Sequence, residues 1–203
     1  MKIDSEKIIL LHPGKTGGTS LEHTLKDSYL PDIKLIAKNA DRDIMFGLDK
    51  EYGLYLQHAD LRLYKILNIP YNEYTTIATV RRPYERILSC YYYNGKSKKF
   101  SFEDFVVNHL ESHIRPNFRR QYSVSHFSPQ HFYTNLDSYK VDHILRQENL
   151  NDEAKDIGIK VKYKYSKTIS TKDINPMDMY NQKTKDIVYN LYKEDFELFG
   201  YER

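Results

Sequence analysis

The sequence predicts an α/β fold, a central parallel β-sheet flanked by helices, and three observations carry that prediction. Two apolar or β-branched runs, "KIILLH" at 7–12 and "TTIATV" at 75–80, each pass through a short loop directly into a helical segment. A third run is expected at Val141 to Leu145, ahead of "RQENL". Strands that alternate with helices need crossover connections, which favours parallel pairing.

Each element has its own local reason. "KIILLH" is aliphatic and is stopped by Pro13 and Gly14, as a short buried strand should be. After the loop, Thr19 and Glu22 stand three residues apart in the form of a capping box that opens the helix "SLEHTLKDSYL". Residues 39–67 are mixed, broken by Gly47 and Gly53, with a short strand expected at "YGLYLQH". Thr75 to Val80 favours a strand, and Pro83 fits the first turn of the next helix. "SFEDFVVNHLESH" has helical apolar spacing, and "QKTKDIVYNLYKEDFELFGY" reads as one C-terminal amphipathic helix. The two clear strand-to-helix junctions should meet at one end of the sheet.

Composition bounds the function classes. A chain of 203 residues with 40% hydrophobic and 29% charged side chains has the make-up of a soluble globular protein, and its size suits one domain over 1–203. A net charge of +3 is too small to argue for general nucleic-acid binding, while leaving room for a local basic pocket around an anion. One cysteine forms no internal disulfide, and a reducing cytoplasm is the default expectation. The N-terminus lacks the features of a secretory signal and no stretch approaches a membrane span, so no stable membrane insertion is expected.

The chemistry concentrates in "HPGKTGGTS" at 12–20. A glycine-rich turn between a strand and a helix N-terminus leaves convergent backbone N–H groups, the helix dipole adds positive potential, and phosphate or sulfate is the natural occupant. Lys15 adds a full charge. A Walker A loop needs a glycine five residues before Gly14, where Ile9 stands instead. A metal-binding strand of the Walker B kind ends in an acid, whereas "TTIATV" runs into Arg81 and Arg82.

Together these motifs resemble the sulfotransferases that use 3′-phosphoadenosine 5′-phosphosulfate, especially the carbohydrate and heparan-sulfate type. "HPGKTGGTSL" is similar to their 5′-phosphosulfate loop, and "VRRPYERILSCYYY" to their 3′-phosphate motif, an Arg-x-Pro-x-x-Arg-x-x-Ser pattern. "HILRQENL" and "LYKEDFELFGY" are weaker echoes of later family segments. Here Pro13 and Gly14 precede Lys15, whereas the family has proline directly before the lysine.

The resemblance implies a P-loop-NTPase-like sulfotransferase fold and a sulfuryl donor held without metal, its product being adenosine 3′,5′-bisphosphate. It assigns Lys15, Thr16, Gly17, Gly18, Thr19 and Ser20 to the 5′-phosphosulfate and Arg81 and Ser89 to the 3′-phosphate. "YSKTISTKD" is similar to the segment that returns to the adenosine, giving Lys167, Thr168 and Ser170. His58 matches the histidine between the two nucleotide motifs and is the expected catalytic base, with His12 its rival; Lys15 is expected on the bridging oxygen. In "RPNFRRQYSVSHFSPQHFYTN", Arg115, Arg119 and His126 with interleaved rings suit a carbohydrate acceptor.

Two other features are read plainly. His109 and His113 stand four residues apart without a third metal-ligand pattern and read as an exposed pair, and Cys90 reads as a small buried apolar residue. The competing functional readings are a P-loop nucleoside or small-molecule kinase and a non-catalytic nucleotide- or anion-binding module.

Overall fold

The computed structural model describes residues 1–29, 48–49, 54–114, 125–163 and 175–203. Its central sheet contains Lys2–Ile3 (β1), Ile8–Leu11 (β2), Thr75–Val80 (β5) and His143–Arg146 (β8), in the order β1-β2-β5-β8. β2, β5 and β8 run parallel, with Leu11 opposite Ala78 and Val80 opposite Arg146, while β1 pairs antiparallel at the edge. The expected parallel sheet is therefore present, and β5 has the bounds read from sequence.

Side-chain alternation along these strands feeds two cores. Ile9, Leu11 and Ala78 pack on one face against Leu61, Leu63 and Tyr64 of α2 (Leu61–Ile66) and against Tyr133. Leu10, Ile77 and Leu145 pack on the other against Leu21 and Leu25 of α1 (Gly18–Tyr29) and Leu150 and Ala154 of α7 (Leu150–Asp156). Burial on both faces explains why β2 is continuously aliphatic. Asp60 caps α2, its carboxylate accepting from the Leu63 N–H at 3.1 Å.

A third core, mostly helical and completed by Phe127 and Tyr180, lies behind α3 (Pro83–Tyr93). It is built by α4 (Phe102–Asp104), α5 (Leu110–Ile114), and the C-terminal pair α8 (Gln182–Leu191) and α9 (Lys193–Phe199). One π turn, Phe105–His109, joins α4 to α5. The remaining elements are small: β3 (Leu48–Asp49) pairs with β4 (Leu54–Tyr55), and α6 (His131–Thr134) leads into the β6–β7 hairpin, Asn135–Leu136 and Tyr139–Lys140. Among the described residues no helix is long and apolar enough to cross a membrane.

Three local expectations are corrected. α1 begins at Gly18, one residue before Thr19, and Glu22 is drawn inward to Lys26 and Gln57, so the capping box does not form. "YGLYLQH" yields only the two-residue β4, and His58 lies in the turn before α2. The C-terminal helix is two helices, because Tyr192 (φ −121°, ψ 23°) leaves helical geometry where its buried hydroxyl donates to the Phe127 carbonyl at 2.7 Å.

Candidate functional site

The parallel strands end at Leu11, Val80 and Arg146, and the segments after these ends enclose a cavity of about 460 Å³. Ligands of open α/β sheets bind at this carboxyl edge. Lys15, Gly17, Thr19, Ser20, His58, Arg81, Ser89 and His126 all line it, so residues far apart in sequence are brought to one cavity. Thr16 and Gly18 do not line it. Lys167, Thr168, Ser170, Arg115 and Arg119 lie outside the described residues.

The loop is held from below and from the side. Thr16 is fully buried; its hydroxyl donates to the Pro13 carbonyl at 2.7 Å and bonds the Thr79 hydroxyl of β5 at 2.7 Å. Thr16 thus anchors the loop to the sheet, with only its backbone left to face a ligand. Arg86, fully buried on α3, donates to the Gly14 carbonyl at 3.1 Å and to the carbonyls of His126 and Ser128 at 2.7 Å each. One guanidinium therefore ties the loop to the 126–128 segment.

Two glycines are required by imidazoles. A Cβ at Gly18 would lie 2.1 Å from His12 Cδ2, and one at Gly14 would lie 2.5 Å from His126 Cδ2. Lys15 adopts the left-handed conformation (φ +68°), at a cost of about 1 kcal/mol for a side-chain-bearing residue. Its ammonium rests 4.0 Å from the centre of the Tyr93 ring, and burial lowers its pKa, with Cys90 raising it and Arg81 lowering it further.

Arg81 follows β5 directly. Its guanidinium donates to the Lys15 carbonyl at 3.4 Å and to Glu85 at 3.2 Å, while the buried Nε has no partner among the described residues. Arg81 and Ser89, eight residues and about two helical turns apart, both line the cavity, and a guanidinium beside a hydroxyl fits an anionic oxygen. Among the described residues nothing hydrogen-bonds the Ser89 hydroxyl.

Three imidazoles form the opposite wall. His58 meets His12 edge-on at 4.7 Å and His126 at 4.9 Å. His58 Nδ1 lies 2.7 Å from the His12 carbonyl, which can only accept, so Nδ1 carries the proton and Nε2 the lone pair. Burial, with His12 and His126 adding to it, holds the His58 pKa well below 6.5, so the ring is neutral at physiological pH. His126 is pushed down to about 4 by burial, Arg86, His12 and Lys15, and its Nδ1 lies 3.1 Å from Asn94 Oδ1.

His12 is almost fully buried, with Nδ1 3.6 Å from Glu22 Oε2, and serves as the packing partner of His58. Burial alone would raise the Glu22 carboxyl; His12, Lys26 and the N-terminal amine outweigh it and hold the group below the usual carboxylate range.

His109 and His113 are not an exposed pair. Both are partly buried, His109 tilted over Phe100 (4.0 Å) and His113 edge-on to Phe105 and Phe127 (5.6 and 5.7 Å). Cys90 is fully buried, as expected.

Sequence reasoning missed Glu22, Tyr93, Gln130 and the wall at Gln147–Asp152. Tyr93 was reachable, standing four residues after Ser89 on one helix face, and "RQENL" pointed at the Gln147 wall. Gln130 and Glu22 left no local signal.

Fold and site together place a glycine-rich loop, two basic side chains and a neutral histidine around one cavity at the carboxyl edge of a parallel sheet. The sulfotransferase family model matches residues 3–202, and the chain belongs to that family. It is accordingly an enzyme of sulfuryl transfer. No curated protein and no solved structure gives a match.

Proposed function

We propose that this protein, acting as one domain over 1–203, transfers the sulfuryl group of 3′-phosphoadenosine 5′-phosphosulfate to a hydroxyl of a carbohydrate. The observation that carries the reading is convergence: the Lys15 loop, Arg81, Ser89 and a neutral His58 of defined tautomer line one cavity. The donor supplies an activated sulfuryl group on a phosphate leaving group. The loop backbone at Gly17 and Thr19 and the α1 N-terminus hold its 5′ end, and Arg81 and Ser89 hold its 3′-phosphate.

His58 Nε2 takes the acceptor hydroxyl proton as the new O–S bond forms. The Lys15 ammonium faces the charge that develops on the leaving oxygen as the old S–O bond breaks, after turning from the Tyr93 ring. Tyr93, 57% exposed at the cavity, offers a flat apolar face of the kind that sugar rings stack on, which supports a carbohydrate acceptor.

Calorimetric titration with adenosine 3′,5′-bisphosphate, set against ATP with magnesium and repeated on Arg81→Ala, tests the donor half. Metal-independent bisphosphate binding that collapses in Arg81→Ala is expected. Preference for ATP with magnesium would sink it. Transfer of labelled sulfate to a sugar, phenol and peptide panel tests the acceptor half, which fails if sugars are not labelled.

A further inference from the structure

Arg81 is the first residue beyond β5, where no sheet ladder fixes its backbone on the side facing β2: that register ends at Leu11 opposite Ala78. In place of a strand stands one side chain. The Arg81 N–H donates to Gln130 Oε1 at 2.7 Å, and Gln130 Nε2 donates to the Arg81 carbonyl at 2.9 Å. The carboxamide thus extends the hydrogen bonding of the strand by one residue.

The carboxamide is itself fixed by a second buried group. Asp195, at the start of α9, accepts from the Gln130 N–H at 2.8 Å and from Gln130 Nε2 at 3.3 Å through Oδ2. Its Oδ1 accepts from the His131 N–H at 2.8 Å, with His131 Nδ1 at 2.9 Å. Both Gln130 and Asp195 are 0% exposed. Because Asp195 takes the amide protons on its side, the Gln130 amide is oriented with Oε1 toward the Arg81 N–H and cannot flip without opposing two acceptors.

We infer that Gln130, oriented by Asp195, is a positioning residue for the 3′-phosphate grip of Arg81. This rests on the reading of Arg81 given above. Gln130 does not line the cavity; it sets where the Arg81 Cα sits, and hence whether the guanidinium can reach both the Lys15 carbonyl and an anion in the cavity.

The test is the gain in affinity that the 3′-phosphate confers, measured by titrating adenosine 3′,5′-bisphosphate and adenosine 5′-monophosphate into the full chain. Charge-assisted bonds from Arg81 predict a gain of about 100-fold in the unaltered protein. Gln130→Met keeps the side-chain length and removes both polar atoms; it should cut the gain to below about tenfold while leaving monophosphate affinity nearly unchanged. Tyr192→Phe is the control, since it removes a buried hydrogen bond in the same core without touching Arg81, and should preserve the gain whatever it does to the melting temperature. If Gln130→Met does not fold, Asp195→Asn replaces it, with a reduced gain expected.

A Gln130→Met or Asp195→Asn protein that retains the full gain overturns the inference, as does a Tyr192→Phe protein that loses it equally. Absence of any gain in the unaltered protein overturns the Arg81 reading first and this inference with it.

Discussion

Acid should destabilise this protein through His126 by an amount that the site itself sets. His126 is flanked by Arg86 and Lys15 as cations, by the His12 and His58 rings, and by Tyr93 and Asn94, with no carboxylate among these neighbours. Its pKa falls from 6.5 to about 4, with burial the largest cause. The sign follows from linkage: a folded-state pKa below the unfolded one means that the unfolded chain binds the proton first, so stability is present above 6.5 and is lost as pH falls. Between about pH 7 and about pH 5 the unfolded chain gains nearly a whole proton here and the folded chain almost none, which costs about 2 kcal/mol.

Urea unfolding of the unaltered protein and of His126→Gln at both pH values isolates that share, because the other titrating groups are common to both. Glutamine keeps a neutral donor for Asn94. His58 also loses stability in this window, and removing His126 relieves one of the charges that depress it, which enlarges the difference between the two proteins. A variant that loses as much stability on acidification as the unaltered protein would refute the account of a cationic pocket around His126.

His58→Ala should lower turnover by about 100-fold or more while bisphosphate affinity, read by calorimetry, stays within about twofold. The acid limb of kcat/KM in the unaltered enzyme should fall below pH 6.5, since His58 is already neutral above it; a limb above that value would contradict the buried neutral ring. Thr16→Val is nearly isosteric but strands the Pro13 carbonyl and the Thr79 hydroxyl, and should cost about 1–3 kcal/mol in urea titration. Arg86→Met removes a guanidinium that donates to three carbonyls, leaving that of His126 with only the Cys90 thiol, and should destabilise by at least about 3 kcal/mol; Arg86→Lys should rescue little, because one ammonium cannot span Gly14, His126 and Ser128.

The contrast between Arg81 and Arg86 shows what the sequence made legible. Both stand in "VRRPYERILS", and the motif alone casts both as cations for an anion. In the fold Arg81 lines the cavity, whereas Arg86, fully buried, points Nε and one terminal nitrogen at backbone carbonyls of two distant segments. That division depends on which carbonyls the tertiary fold delivers, and no local pattern encodes it. The strands and the glycine loop were legible because apolar period and turn chemistry act over a few residues. Glu22 was misread for the complementary reason: spacing proposed a cap, while Lys26, Gln57 and the His12 ring offered a buried carboxylate more than the Thr19 backbone could.

The same logic shows how a chain with a net charge of only +3 could hold the proposed polyanionic donor. Positive potential at the cavity comes less from lysines and arginines in number than from their confinement: Lys15 and Arg81 are partly buried, Arg86 lies directly behind the loop, and the α1 N-terminus adds its dipole. Lys15 and Arg86 also help keep His126 neutral, since a proton added there would join existing positive charge, while His58 is held neutral by burial with His12 and His126 beside it. An anion in the cavity would offset that charge and draw the histidine pKa values upward. Donor binding should therefore make His58 a stronger base at the moment an acceptor arrives, and its apparent pKa, followed by imidazole NMR, should rise on addition of adenosine 3′,5′-bisphosphate. A value that stays fixed at saturating bisphosphate would show that the histidines are depressed by burial alone.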